Sequence, residues 1–189
     1  YDLIIANGKI VDGTGKPAFI GNIAIKDGKI SAVGEVAESA AKTIDAKGQL
    51  IAPGWVDVHS HMDGQATWDP LCSPAANHGI TTIIMGNCGI GFAPCAPTAE
   101  ARDQLISVCE DVEDIPGAAL HEGITWDWES FPEYLTALDK FPRAIDIGAQ
   151  VPHCAVRTYV MGDRGLNNEQ ATSDDITQMK EIVKDGINA

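Results

Sequence analysis

The sequence is short of positive charge. Lys and Arg number 13 against 27 Asp and Glu, a formal net charge of −14 over 189 residues. A surface this acidic repels phosphate backbones and anionic lipid headgroups, so neither nucleic acid nor membrane is an expected partner. Apolar runs long enough to cross a bilayer are missing as well. The opening stretch, Tyr1-Asp2-Leu3-Ile4-Ile5-Ala6-Asn7-Gly8, has no basic region and no cleavage motif, and no signal peptide is expected there. The five cysteines, Cys72, Cys88, Cys95, Cys109 and Cys154, are odd in number and form no Cys-x-x-Cys pair. That pattern disfavours a disulfide framework and favours reduced thiols in a cytoplasmic setting. There is no repeat of fixed period and no low-complexity segment. Gly13-Thr14-Gly15-Lys16 lacks both the spacing of a phosphate loop and a helix behind it, so it reads as a turn.

What is present suits a globular chain with a real core, in one or two domains. Residues 1–50 read as all-β. Leu3 to Ala6, Lys9 to Val11, Ile20 to Ile25 and Lys29 to Val33 are short apolar runs, separated by Asn7-Gly8, Asp12-Gly13, Gly15 and Asp27-Gly28. Asn-Gly and Asp-Gly supply the positive φ angles of tight hairpins, and Asp27-Gly28 is the clearest of them.

From residue 51 the pattern becomes α/β. Ile80 to Met85 is β-branched and uncharged, as in a parallel sheet interior. Thr98 can cap a helix over 99–112, with Leu105, Ile106, Cys109 and Val112 on its apolar side. An acidic, irregular stretch then runs to Glu129. Ser130-Phe131-Pro132-Glu133 is a capping box opening a helix through Leu138. Ala144 to Val151 is a third strand candidate, and a last helix starts near Thr172, with Ile176, Met179, Ile182 and Val183 at helical spacing. Each strand is followed by helical material, with His or Cys at or just beyond its C-terminal end, where (β/α) barrels keep their active sites. A full barrel needs about 250 residues, so residues 51–189 are expected to form only its first β/α units.

The stretch Pro53-Gly54-Trp55-Val56-Asp57-Val58-His59-Ser60-His61-Met62-Asp63 organises the rest. It reads as a buried strand covered on both faces. Val56 and Val58 point one way; Asp57, His59 and His61 point the other. Two imidazoles on one strand face can reach a single divalent ion, and neutral imidazole suits zinc, nickel, cobalt or iron. Spacing alone leaves this open beside histidines packed at a strand end and bonded to backbone.

These residues resemble the N-terminal part of the N-acyl-D-amino-acid deacylases (D-aminoacylases) of the amidohydrolase superfamily. The opening Tyr1 to Gly8 with Ile25-Lys26-Asp27-Gly28-Lys29-Ile30, and the strand Ala52 to His61, match the superfamily. Asp63-Gly64-Gln65, Trp68-Asp69-Pro70, the run Gly86 to Cys95, Trp126 to Phe131, and Val151-Pro152-His153 with Arg157 match the deacylase branch. The resemblance implies a small β-sandwich beside a TIM-like barrel holding one or two zinc ions, and a small-molecule N-acyl amino acid as substrate. It implies that His59, His61 and Cys88 are metal ligands. It places the remaining histidine ligands and the acid–base aspartate on later strands, so the catalytic residue lies beyond this stretch and the isolated chain is expected to be a fragment of doubtful activity. Two other functions stay open: a cyclic amide or imide hydrolase of hydantoinase type, and a non-enzymatic truncated metal-binding module.

Asp57 sits too deep on the strand to ligate but can orient an imidazole from behind. Asp63 can line the pocket or cap the next turn. His153 can reach substrate or bond to backbone. Arg157 can pair with a substrate carboxylate or with one of the many acidic side chains. Trp126 and Trp128 can rim an acyl pocket or pack in the core. The exposed edges of a partial barrel invite self-association.

Overall fold

Left-handed residues shape the N-terminal sheet. Asp27 and Gly28 both adopt positive φ, 53° and 71°, which is what a two-residue turn between right-twisted strands requires. In the computed structural model, which describes residues 1–140 and 142–189, this turn joins β2 (Phe19–Lys26) to β3 (Lys29–Gly34). The chain divides into two units, Tyr1–Gly54 and Trp55–Ala189.

In the first unit, β1 (Leu3–Ile10) lies antiparallel to β2 and parallel to β4 (Lys42–Asp45) and β5 (Leu50–Ile51). Asn7-Gly8 was expected to separate two runs; instead β1 passes straight through it. Asn7 takes φ 58° and the register against β2 shifts between Ile5 and Gly8, so the pair forms a bulge. Neighbouring strands hold it there. The Asn7 backbone N–H donates to Asn22 Oδ1 at 3.0 Å and its side-chain amide donates to Asp45 Oδ1 at 3.1 Å. Gly8 leaves room for Ile51, whose Cδ1 would lie 2.0 Å from an added Cβ. Ile4, Ile10, Ile23 and Ala24 form the buried face.

The second unit is the start of a TIM-like (β/α) barrel. Its strands β6 (Trp55–Ser60), β7 (Ile80–Met85) and β8 (Asp146–Ala149) are parallel and adjacent in sequence order. β7 falls where the apolar run places it. β6 corrects the expectation of burial on both faces: it pairs with β7 and ends the described sheet, and Trp55, Val56 and Val58 are 62%, 57% and 61% exposed. β8 is shorter than 144–151, because Pro152 turns the chain into a helix.

Short 3-10 turns, Gln65–Thr67 and Ala76–His78, fill the β6–β7 connection. Helices α1 (Ala99–Glu113), α2 (Gly117–Gly123) and α3 (Phe131–Leu138) connect β7 to β8. Thr98 caps α1 by accepting the Ala101 N–H, and Leu105, Ile106 and Cys109 are buried. Val112 departs from expectation: the buried stripe ends at Cys109, and Val112, in the last turn, is exposed. α2 replaces part of the expected irregular stretch. Its first N–H groups lack a local cap, and Glu110 supplies one from α1 by accepting the Gly117 N–H at 2.9 Å. The Ser130–Glu133 capping box opens α3 as its sequence requires.

After β8 come α4 (His153–Met161), α5 (Asp163–Leu166) and α6 (Ser173–Asn188). The core gathers Ile83 and Met85 of β7, Phe92, Leu105, Ile106, Leu120, Trp128, Phe131 and Tyr134. Burying each large apolar side chain contributes about 1.5–3 kcal/mol. Polar handles inside it are satisfied: Trp128 Nε1 donates to Phe92 O and Tyr134 Oη donates to Asp63 O, both at 2.8 Å.

Asp175 ties α6 to α5. It accepts from Arg164 Nη1 at 3.0 Å and Nη2 at 2.8 Å, and from the Thr172 N–H at 2.8 Å. The Arg164 guanidinium first, then the Thr172 N–H, hold its carboxyl well below the usual carboxylate range. A carboxylate with a depressed folded pKa stabilises the fold above its unfolded pKa, about 3.9, and loses that contribution as pH falls. Asp175→Asn is therefore expected to lower Tm by a few degrees at pH 7. In circular dichroism melts, its gap to the unsubstituted chain should begin to close below about pH 4.

Candidate metal centre

Parallel strands carry their C-terminal ends to one side of a sheet. Pairing of β6 with β7 sets Ser60 opposite Met85, so whatever follows each strand emerges at the same level. His59 lies on β6, His61 just beyond it, and Cys88 in the loop after β7. One ligand atom from each, imidazole nitrogen or thiol sulfur, lies within 4.8 Å of the others. Cys88 Sγ is 3.7 Å from His61 Nδ1, and the two imidazole centroids are 5.1 Å apart.

The Cys88 loop is built by glycine. Gly86 has φ 80°, and a Cβ there would stand 2.4 Å from Gln150 O. This lets the backbone turn sharply off β7 against the end of β8. Gly89 has φ 96°, and its carbonyl accepts the Cys154 N–H at 2.7 Å, pinning the loop to the first turn of α4. The Ile90 N–H then points at Cys88 Sγ, 3.3 Å away.

Two imidazoles and a thiolate are a zinc donor set. With Zn–N near 2.0–2.1 Å and Zn–S near 2.3 Å, tetrahedral ligands stand roughly 3.3–3.8 Å apart. The 3.7 Å separation of His61 and Cys88 already meets that spacing, and His59 is within small side-chain adjustment of it. The residues fit the ion.

Two carboxyl groups stand behind these donors. Glu113, the last residue of α1, places Oε2 3.2 Å from His61 Nε2. Asp63 is buried, and its carboxyl is pushed up to about 7, first by burial and further by the negative charge of Glu113. Asp63 does not cap the following 3-10 turn, which has no side-chain cap. Asp57 turns its carboxylate to the His59 backbone N–H, at 3.0 Å.

His153 and Arg157 sit together on α4, on a cavity of about 380 Å³ that they share with Val108, Cys154, Leu166 and Asn168. His153 begins α4 and touches the Cys88 loop, its Cβ lying 3.4 Å from the position of a Cβ on Gly89. The Arg157 guanidinium donates to the carbonyls of Gly165 and Glu169. Trp128 is buried, and its ring stacks edge-on to Tyr134 at 4.9 Å, while Arg102 lies over Trp126. Sequence reasoning missed Glu113 because it lies far from His61 along the chain, in an acidic run at a helix end where solvated charge is the ordinary expectation.

A family model described as the amidohydrolase family matches residues 42–189. The chain is 30% identical over 188 residues to a D-aminoacylase of Alcaligenes xylosoxydans xylosoxydans, covering 99% of this chain and 36% of that protein. It is 33% identical over 189 residues to an N-acyl-D-aspartate deacylase of the same organism, covering 100% of this chain and 35% of that one. Among solved structures, a D-aminoacylase crystal structure superposes with a TM-score of 0.79 at 30% identity, over 100% of this chain and 36% of the other. The N-acyl-D-glutamate deacylase of Bordetella bronchiseptica, complexed with zinc and a phosphonate inhibitor, gives a TM-score of 0.74 at 30% identity, with the same coverage. The chain thus spans just over a third of the length of these relatives.

Among the cysteines, Cys88 is exposed, Cys154 is half-buried, and Cys72, Cys95 and Cys109 are buried. Burial pushes the Cys95 thiol up to about 11 and the Cys109 thiol up to about 12. Native protein treated with a chromogenic disulfide at pH 8 is expected to release one fast equivalent of thiolate. Cys88→Ala should abolish that phase, and added zinc should slow it in the unsubstituted chain. A fast phase that survives Cys88→Ala would refute the assignment.

Proposed function

The chain belongs to the amidohydrolase family, and we propose that it carries the first part of a zinc site that hydrolyses the amide bond of N-acyl-D-amino acids. The observation that carries this reading is the convergence of His59, His61 and Cys88 at the ends of β6 and β7. Relatives at 30–33% identity that deacylate D-amino acid derivatives support the substrate class. A relative bound to zinc supports the metal.

Zinc in such a site lowers the pKa of bound water to about 7 and polarises a carbonyl. The tasks of this chain's own residues follow from their chemistry. His59 and His61 present neutral imidazole lone pairs. Cys88 presents its sulfur, with the Ile90 N–H 3.3 Å from it. Glu113 sets a carboxyl oxygen 3.2 Å from His61 Nε2, beside the donors. Of the substrate-side candidates Asp63, His153 and Arg157, His153 borders the Cys88 loop at Gly89 and Asp63 borders it at Gly91.

Equilibrium dialysis or calorimetry of the full chain is expected to show zinc binding. His59→Ala with Cys88→Ala should weaken that binding by more than about 100-fold, since even partners behind the ligands typically contribute 10–100-fold. Unchanged binding by the double variant would defeat the site. Supplied with the C-terminal part of the N-acyl-D-aspartate deacylase, the chain should release amine from N-acyl-D-amino acids in preference to their L enantiomers. Ring opening of hydantoins without deacylation would favour the cyclic-amide reading instead.

The exposed Trp55, Val56 and Val58 of β6 and the exposed Ile176 and Ile187 of α6 give a chain of 20.0 kDa apolar surface to cover. We propose that it self-associates. Sedimentation velocity should show species heavier than the monomer, and Val56→Lys with Val58→Lys should reduce them. A monodisperse monomer at every concentration would contradict this.

A further inference from the structure

We propose that Trp128 and Tyr134 are positioning residues that act as one brace, setting the distance between the two chain segments that carry the metal ligands. The inference rests on the metal site proposed above and adds to it a support drawn from the apolar core.

His61 and Cys88 lie on separate segments, the turn after β6 and the loop after β7. Each segment receives one hydrogen bond from a buried aromatic side chain. Tyr134 Oη donates to the carbonyl of Asp63, just beyond His61, at 2.8 Å. Trp128 Nε1 donates to the carbonyl of Phe92, just beyond Cys88, also at 2.8 Å. The two donors are themselves a pair. Their ring centroids are 4.9 Å apart with planes at 61°, the edge-to-face arrangement that aromatic rings favour. One ligand segment is thus joined to the other through two hydrogen bonds and one ring contact.

The segments also meet directly. A Cβ on Gly64 would stand 3.2 Å from Phe92 Cε2, and one on Gly91 would stand 3.1 Å from Asp63 Oδ1. Glycine on each side lets the segments close on one another, so their separation is decided by what holds their backbones. Trp128 and Tyr134 are both buried, where water cannot replace a lost bond. Packing alone does not explain the phenol, since phenylalanine would fill nearly the same space without reaching Asp63. The Ser130–Glu133 capping box fixes the start of α3 between the two donors. Trp126 completes the cluster. It adopts φ 56°, a left-handed conformation that is costly for a bulky side chain, and its ring meets Trp128 at 5.7 Å and Phe92 at 5.8 Å.

The test uses the full chain, the variants Tyr134→Phe and Trp128→Phe, and cobalt(II) as a coloured stand-in for zinc. Tyr134→Phe keeps the ring and removes only the hydroxyl. In metal-free protein it should speed hydrogen exchange of the Trp128 indole N–H about tenfold, with the Trp55 indole unchanged as a control. In loaded protein, either variant should weaken cobalt binding about tenfold and alter the ligand-field and thiolate charge-transfer bands of the bound ion. The double variant should lose little more than either single one, because a single brace breaks once. Met161→Ala separates positioning from stability. It opens a cavity in α4, outside this aromatic cluster, and should lower Tm while leaving the cobalt spectrum as it was. Unchanged Trp128 exchange in Tyr134→Phe would overturn the brace. So would affinity losses that multiply in the double variant, or a cobalt spectrum as indifferent to Tyr134→Phe as to Met161→Ala. If the unsubstituted chain bound no cobalt, the metal site itself would fall. Trp128 exchange in the metal-free protein would then still decide whether the two bonds act together.

Discussion

The candidate site depends on the parallel pairing of β6 and β7. Because Ser60 faces Met85 across that ladder, the residues leaving both strands start from the same height, and His61 and Cys88 meet without any long side chain reaching for the other. A slip of one residue would turn His59 to the opposite face and carry the cysteine loop out of range. The register is in turn held from below. Ile83 and Met85 are fully buried, and moving either by one position would drive Thr82 and Ile84 into their places in the core. Apolar packing therefore sets the position of the polar groups. The histidines contribute little to their own placement.

Charge is arranged around the donors in two layers. The thiol and imidazoles come from strand ends and a strand-following loop, whereas Glu113 comes from the end of a helix and Asp63 from the turn after β6. Strand ends give a fixed origin for ligands. A helix anchored in the core gives a fixed origin for whatever lies behind them. The four other cysteines stand outside this group, and each thiol is raised by burial first. Cys88 differs because a glycine-built loop carries it out of the core and an N–H points at its sulfur.

Much of this was legible in the sequence where chemistry is local. Asp27-Gly28 forms the two-residue hairpin that its turn chemistry favours, and Ser130 with Glu133 satisfies its own helix end. The uncharged, β-branched run from Ile80 to Met85 suits a sheet strand, and it forms β7. His59, His61 and Cys88 were legible as a set only through family resemblance, because nothing in the spacing of 59 and 61 points to 88. What escaped notice was non-local. Asn7-Gly8 has the same turn chemistry as Asp27-Gly28, but side chains of β2 and β4 hold it as a bulge within one strand. α2 is capped by a carboxylate from α1, so no cap appears in its own sequence. α4 follows a proline and has no polar N-cap, and it was passed over for the same reason. Glu113 reads as one more solvated acid until α1 is folded against the core.

β6 shows how a sequence can describe surroundings larger than the residues that carry it. Tryptophan and valine at alternate positions, with no long charge among them, are what a strand needs when apolar layers cover both faces. Here the Val56 and Val58 side chains are mostly open to solvent, although the strand keeps its ladder to β7. An exposed edge meant to meet water is usually blunted by lysine, proline or a bulge that twists it away. The registry of β6 does shift, between Trp55 and Val56 and again between Asp57 and Ser60, but no lysine and no proline lies within the strand. The apolar face thus argues for another apolar layer against it, of the kind a closed barrel supplies.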